Sequence, residues 1–228
     1  MEQKLRADEQ FLVLKDKLRK RLLKYTRKAY RMIPRIDQPL ILDIGCGSGI
    51  PTIELAKLTQ GEVIGIDIDQ PALDRFIRKT TEAGLSKRVK ALNCSLLDMH
   101  FPNESFDIIW SEGSIHAIGF EKGLSEWKRF LKPGGFMVIH DEQGNVREKL
   151  GLVSDCGYEL IGHFLLSQDI WRIEYFDPLE KLVNEFQTKL TDDSKNSEEL
   201  HQAWEELAMF RKNPERNSSG YFIMKRQL

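Results

Sequence analysis

The chain of 228 residues carries 34 Lys and Arg against 35 Asp and Glu, a net charge of -1, with 41% hydrophobic and 30% charged residues. That balance excludes a polycationic nucleic-acid binder and an acidic solvating tail, and the length supports a full core without disulfides or a structural metal. The near-neutral total is a cancellation: residues 1–35 hold twelve Lys and Arg against four Asp and Glu, and the remainder is correspondingly negative.

The first elements follow from periodicity. From Glu2 to Ile33, apolar residues Phe11, Leu14, Leu18, Leu22, Tyr25 and Ala29 recur every three or four positions among Lys and Arg. That pattern predicts one long amphipathic helix stopped by Pro34, with a solvated basic face. After it, short apolar runs alternate with helical stretches: strand LILDI, helix PTIELAKL, strand EVIGIDI, helix PALDRFIRKTTEAG, then strands RVKALNC and FDIIWSE, helix GLSEWKRFL and strand GGFMVIHDE. Continuous apolar strands separated by helices predict βαβ units and a doubly wound α/β fold.

Beyond Gly144 the rhythm loosens. NVREKLGLVSDCG reads as a helix, YELIGHFLLS as a sixth strand, and DPLEKLVNEFQTKL and SEELHQAWEELAMFRK as helices joined by the turn TDDSKN. The loop NPERNSSG then leads to GYFIMKR, a last strand. The expected organisation is an N-terminal helical cap over 1–37, a core over 38–168, a helical insertion over 169–217 as a lid, and the last core strand over 218–228.

Cys46, Cys94 and Cys156 form no C-x-x-C pair and are too few for a disulfide framework. No metal-ligand pattern stands out. The charged N-terminus lacks the apolar core of a signal peptide, and no run reaches the roughly 18 apolar residues of a membrane span. The chain reads as cytoplasmic, with no membrane partner.

The sharpest motif is LDIGCGSG, Leu42 to Gly49, where the first strand passes into a helix. Glycines there admit a ligand close to the backbone, beside unpaired N–H groups of the helix start. The dinucleotide fingerprint requires Gly or Ala at position 50, which is Ile50, and the P-loop lysine is missing. Asp43 instead precedes the glycines, where a carboxylate repels pyrophosphate but takes up an ammonium group. Asp67 closes the second strand, placed to accept both ribose hydroxyls. Adenosine with an ammonium group describes S-adenosylmethionine better than NAD.

LDIGCGSG, GIDID, FPNESFDIIW and FLKPGGFMVIHDE, in this order, resemble the successive motifs of the class I S-adenosylmethionine-dependent methyltransferases of small-molecule type, over residues 38 to 142. The resemblance implies a mostly parallel seven-stranded sheet whose last strand is antiparallel. It further implies that Asp43, Gly45, Cys46 and Gly47 line the methionine and ribose part of the cofactor. Asp67 would hold the ribose, Ile68 would lie against the adenine, Ser95 and the Leu96 N–H would serve the adenine edge, and Ser111 would border the methionine end.

Methyl transfer from a sulfonium demands alignment and exclusion of water, and a base only where the acceptor must lose a proton. The candidate bases lie at strand ends: Glu112 and His116 after the fourth strand, and His140 and Asp141 at the end of the fifth. His116 stands first because a histidine titrates near neutrality; His163 lies within a strand and reads as structural. Neither the Asn/Asp/Ser-Pro-Pro-aromatic motif of base-amino methylation nor a Pro-Cys nucleophile is present, so the expected partner is a small-molecule acceptor, not nucleic acid. Tyr25, Tyr30, Trp171, Tyr175 and Phe176 are candidates for an apolar acceptor pocket. The competing readings are a cofactor-binding module without catalysis that meets RNA or protein, and an NAD-dependent oxidoreductase. Oligomeric state, acceptor and pathway are not legible.

Overall fold

The structure is a computed structural model that describes residues 2–189, 197–213 and 218–228. The turn expected over 191–196 and most of the loop before the last strand, residues 214–217, lie outside the described residues. The chain divides into two compact units: a helical one of residues 1–22 and 166–218, and a sheet one of residues 23–165 and 219–228.

The sheet unit holds seven strands: β1 Leu40–Ile44, β2 Glu62–Asp67, β3 Val89–Asn93, β4 Phe106–Glu112, β5 Leu131–Glu142, β6 Tyr158–Leu166 and β7 Ser219–Arg226. Their order is β3-β2-β1-β4-β5-β7-β6. The pairings from β3 through β5 are parallel and β7 runs antiparallel to β5, as the sequence and the resemblance led one to expect. The helices of this unit are α2 Leu23–Met32, α3 Ile50–Leu58, α4 Gln70–Glu82, α5 Phe120–Trp127 and α6 Val146–Asp155. Asp69 caps α4 by accepting the Ala72 N–H at 3.1 Å, and Asn145 caps α6 from the Glu148 N–H. Helix α5 is shorter than expected: the chain tightens into a 3-10 turn at Lys128–Phe130, and β5 begins already at Leu131.

Side chains alternate across the sheet. One face presents Leu42, Ile44, Ile109, Met137, Ile139, Phe222 and Met224 to a core shared with Leu124, Trp127 and Phe130. The register places Asp43 beside Trp110, and sets Glu112, His140 and Tyr221 in one row across β4, β5 and β7, on the opposite face. Helices α2 and α3 pack against each other, and α2 also meets β7.

The expected single N-terminal helix is two. Arg21 and Leu22 donate to the carbonyls three residues back, Leu18 and Arg19, at 3.0 Å, which tightens the chain and separates α1 Glu2–Lys20 from α2. The boundary between the units falls at this break, so α2 belongs with the sheet although it was expected within one cap over 1–37.

The helical unit joins α1 to segments far away in sequence: α7 Gln168–Trp171, a π-helical turn Arg172–Phe176, α8 Asp177–Lys189 and α9 Glu198–Lys212. Ser167 and Ser197 cap α7 and α9. Phe11, Tyr175, Phe176, Leu179, Val183, Leu200, Ala203 and Leu207 form its core, with the Phe176 and Phe210 rings stacked at 3.9 Å. Burying those apolar side chains contributes roughly 1.5–3 kcal/mol each before chain entropy is set against it. Tyr175 and Phe176 are therefore core residues of this unit, packed beside Trp171. Lys15 pairs with Glu206 at 2.9 Å and Arg21 with Glu174 at 3.2 Å. Among the described residues no helix is long and apolar enough to cross a membrane.

Candidate active site

The site grows from the turn after β1. Gly45 and Cys46 both donate their N–H to the Ile66 carbonyl, at 2.9 and 3.0 Å, which ties the turn to β2. Gly45 has φ +75°, and a Cβ added there would stand 2.3 Å from the Ser114 Cβ. Gly47, at φ +51°, faces open space. Only glycine tolerates both the left-handed backbone and the close packing at Gly45, while at Gly47 the missing side chain leaves room for a ligand.

Asp67 organises the turn from β2. Its carboxylate accepts the Gly47 N–H at 2.7 Å and the Asp69 N–H at 2.9 Å. The expected ribose-holding acid thus stands directly against the glycine turn. Ile68 follows it with 72% of its surface exposed, and Leu97, after β3, is 64% exposed. Two large apolar side chains left in water near the ends of β2 and β3 mark an apolar face available to a planar ligand. Ser95, expected at the adenine edge, uses its hydroxyl to accept the Leu97 N–H at 3.2 Å, and Leu96 packs against the core.

Asp43 is 1% exposed. Thr52 of α3 donates to it at 2.6 Å. Burial, joined by the nearby Glu112 and Asp67 carboxylates, pushes its carboxyl up to about 7, against the opposing pull of the Thr52 hydrogen bond.

Glu112 is the second acid of this face. One carboxylate oxygen, Oε1, accepts from the Trp110 indole at 2.8 Å and from Thr26 of α2 at 2.9 Å. Tyr221 of β7 interacts with the same carboxyl and with Thr26. Burial pushes the carboxyl of Glu112 up, and Trp110, Thr26 and Tyr221 oppose that shift. Among the described residues neither Asp43, Asp67 nor Glu112 makes an ion pair. A buried acid without countercharge is a demanding arrangement, and it suits a ligand that brings positive charge.

The other expected site residues divide. Ser111 is fully buried and shares a 2.6 Å hydrogen bond with Ser114, whose hydroxyl reaches the Ile44 carbonyl; the pair braces the glycine turn. Cys46 turns its thiol toward Gly65 and the Phe76 side of the core, with its N–H given to Ile66 of β2 and its carbonyl accepting from the Gly49 N–H, and burial pushes the thiol up. His116 lies exposed on the 3-10 turn Ile115–Ala117. His140 is buried, hydrogen-bonded to Ser219 at 2.7 Å and stacked on Tyr221 at 4.2 Å; burial alone holds it down at about 3, so it is neutral. Asp141 is paired with Lys149 at 2.5 Å.

Sequence reasoning missed Thr26, Thr52, Trp110, Ser114 and Tyr221. Thr26 carried one legible signal, a polar residue on the apolar stripe between Leu22 and Ala29. Among the described residues no cluster of His, Cys, Asp and Glu is suited to a metal ion.

These features fit the cofactor that the motifs suggested. A buried carboxyl without an ion pair stands at the end of β1, a second carboxylate sits at the glycine turn, open space faces Gly47 and Ile68 is exposed. Comparison with known proteins agrees. Residues 41–135 match the family model of the methyltransferase domain. The chain is 35% identical over 102 residues to a sterol 24-C-methyltransferase of Gibberella zeae, covering 44% of this chain and 27% of that protein. It spans between about a quarter and about half of the length of the curated relatives it matches. Among solved structures, the [4+2]-cyclase SpnF superposes with a TM-score of 0.72 at 17% identity, covering 90% of this chain and 81% of that one. A geranyl diphosphate C-methyltransferase from Streptomyces coelicolor, in complex with Mg2+, geranyl-S-thiolodiphosphate and S-adenosyl-L-homocysteine, gives 0.61 at 17% identity, covering 89% and 75%. With its glycine turn, its strand-end acids and its seven-stranded sheet, the chain carries over residues 41–135 a segment that matches the methyltransferase domain.

Proposed function

We propose that the protein transfers a methyl group from S-adenosylmethionine to a small, largely apolar acceptor. The observation that carries this reading is the pair Asp43 and Asp67, buried or half-buried acids at the ends of adjacent strands on either side of the glycine turn. Asp43 takes the ammonium group. Asp67 takes the ribose hydroxyls, Gly45 and Gly47 admit the chain between them, and Ile68 lies under the adenine with Ser95 and the Leu96 N–H at its edge. Cys46 and Ser111 shape this wall from behind.

The bound cofactor supplies an electrophilic methyl group on a sulfonium. This chain's residues align the acceptor, exclude water and take its proton. Loss of that methyl group would leave a neutral thioether on the cofactor, and the Glu112 carboxylate would take the proton that the methylated acceptor gives up. Glu112 is favoured over His116 as this base because it shares the sheet face of Asp43 and is held by the Thr26 and Trp110 donors, whereas His116 lies exposed. Similarity to methyltransferases of sterols and of geranyl diphosphate supports an isoprenoid-like acceptor. The same similarity, with the missing base-methylation motifs, speaks against nucleic acid. We place the protein in the cytoplasm.

A second reading, cofactor binding without methyl transfer, is favoured by one observation: a [4+2]-cyclase has this fold. The deciding experiment incubates the full chain with methyl-deuterated S-adenosylmethionine and a panel of sterols, isoprenoid alcohols, fatty acids and amines, followed by mass spectrometry. Acceptor-dependent S-adenosylhomocysteine and a deuteromethylated product support the proposal. Cofactor binding without product from any of these classes favours the second reading.

A further inference from the structure

We infer that Thr26 of α2, which donates to the Glu112 carboxyl beside the Trp110 indole, and Tyr221 of β7, set in the same row of the sheet, are positioning residues that hold this carboxyl in one orientation. The inference rests on the proposal that Glu112 is the acceptor-side base.

The geometry is specific. Thr26 lies 86 residues before Glu112 in the chain and yet is 1% exposed with its hydroxyl 2.9 Å from Oε1. A threonine in an apolar helix face loses its water shell and retains stability only if the hydroxyl finds a partner. Its partner here is a strand-end carboxylate, which anchors the middle of α2 to the end of β4. Tyr221 reaches Glu112 from the sheet itself, because the register sets Glu112, His140 and Tyr221 side by side. His140 stacks on the Tyr221 ring at an interplanar angle of 9° and is fixed in turn by Ser219. The Tyr221 ring therefore has little rotational freedom.

Thr26 and Trp110 converge on the same oxygen, Oε1, and with Tyr221 they favour the ionised form of Glu112. A carboxylate held in this way keeps the orientation of its other oxygen, Oε2, constant. The other titratable groups around it are Asp43 on β1, His140 on β5 and Tyr221 itself. From α2, Tyr30 packs against Trp110 with ring centroids 6.5 Å apart, and Arg27 is turned to Glu54 of α3 at 2.6 Å. Arg27 thus does not neutralise Glu112, and the orientation of the acid depends on hydrogen bonds.

The Trp110 indole N–H provides a reporter that needs no acceptor. The full chain, labelled with 15N and saturated with S-adenosylhomocysteine, is titrated over pH 5 to 9 while the indole resonances are followed, with Trp110→Phe assigning the signal and Glu112→Gln removing its titration. Thr26→Val and Tyr221→Phe each remove one hydroxyl that favours the ionised carboxylate, so the titration midpoint is expected to rise by about one pH unit in each. Thr26→Ser restores it. Calorimetric binding of S-adenosylhomocysteine within twofold of wild type shows that the variants are folded. A midpoint unmoved in both variants overturns the positioning role. Failure of the base assignment is read separately: Glu112→Gln then keeps wild-type turnover with whichever acceptor the deuteromethyl assay identifies, while the titration results stand.

Discussion

Asp43→Asn separates stability from function at one buried atom. The carboxyl of Asp43 is raised from its ordinary 3.8 to about 7, burial being the largest cause. A group whose folded pKa is raised favours the fold at low pH, and that contribution is lost as pH climbs from the unfolded to the folded value. The cost of carrying the carboxylate therefore grows by about 1.4 kcal/mol per pH unit between about 4 and 7, then levels near about 4 kcal/mol. Asparagine keeps an acceptor for the Thr52 hydroxyl and carries no charge. At pH 8 the variant is expected to melt roughly 5–10 °C above wild type, given about 2–4 °C per kcal/mol at this chain length and some relaxation around the charge. Near pH 4 the two proteins should coincide.

Binding of S-adenosylhomocysteine should run the other way. The ligand's ammonium group replaces the missing countercharge, so wild type binds more tightly from pH 6 to 8 and releases a proton on binding. The variant loses a charge-assisted contact worth about 1.5–3 kcal/mol, at least tenfold in affinity. Differential scanning fluorimetry across pH and calorimetry in buffers of different ionisation enthalpy read both arms. Parallel melting curves for the two proteins, or equal affinity at pH 8, would refute the argument that Asp43 is the titrating, ammonium-binding acid.

Three further substitutions probe the same wall. Gly45→Ala places a Cβ 2.3 Å from Ser114 Cβ on a left-handed backbone and should cost about 2–4 kcal/mol of stability, whereas Gly47→Ala, with no clash, should cost about 1 kcal/mol and chiefly weaken the cofactor; urea melts and calorimetry give the two orders. Asp67→Ala removes the acceptor of the Gly47 and Asp69 N–H groups and should cut cofactor affinity about a hundredfold with roughly 1–2 kcal/mol of destabilisation; an affinity unchanged within twofold would contradict its role. Cys46 should resist thiol reagents in the folded protein, since burial holds its thiol protonated, and Cys46→Ser should bind cofactor within a few fold of wild type.

The alternation of strands and helices was legible because the central strands β1, β2 and β4 are short, largely apolar runs, and the proposed cofactor wall because glycines and strand-end acids lie close together in sequence. The break at Arg21 was not legible: the apolar repeat runs through it without Gly or Pro, and the turn is tightened by 3-10 hydrogen bonds that leave no compositional mark. The helical run from Gln168 to Phe176 was missed although Ser167 caps it, because its π-helical stretch disturbs the 3.6-residue repeat. The proposed acceptor side was least legible. Thr26, Glu112 and Tyr221 come from a helix, a parallel strand and the final antiparallel strand, and only the sheet register brings them together. His116 looked better than Glu112 on intrinsic acidity alone, which says nothing of burial.

The most direct measurement is a calorimetric titration of S-adenosylhomocysteine into the full wild-type chain at pH 8, with Asp67→Ala alongside. A single site with a dissociation constant in the micromolar range, about 8 kcal/mol of binding free energy, and its loss in the variant are expected. No heat from a chain that circular dichroism shows to be folded, or equal binding by Asp67→Ala, would contradict the assignment of this glycine turn and its two acids to S-adenosylmethionine.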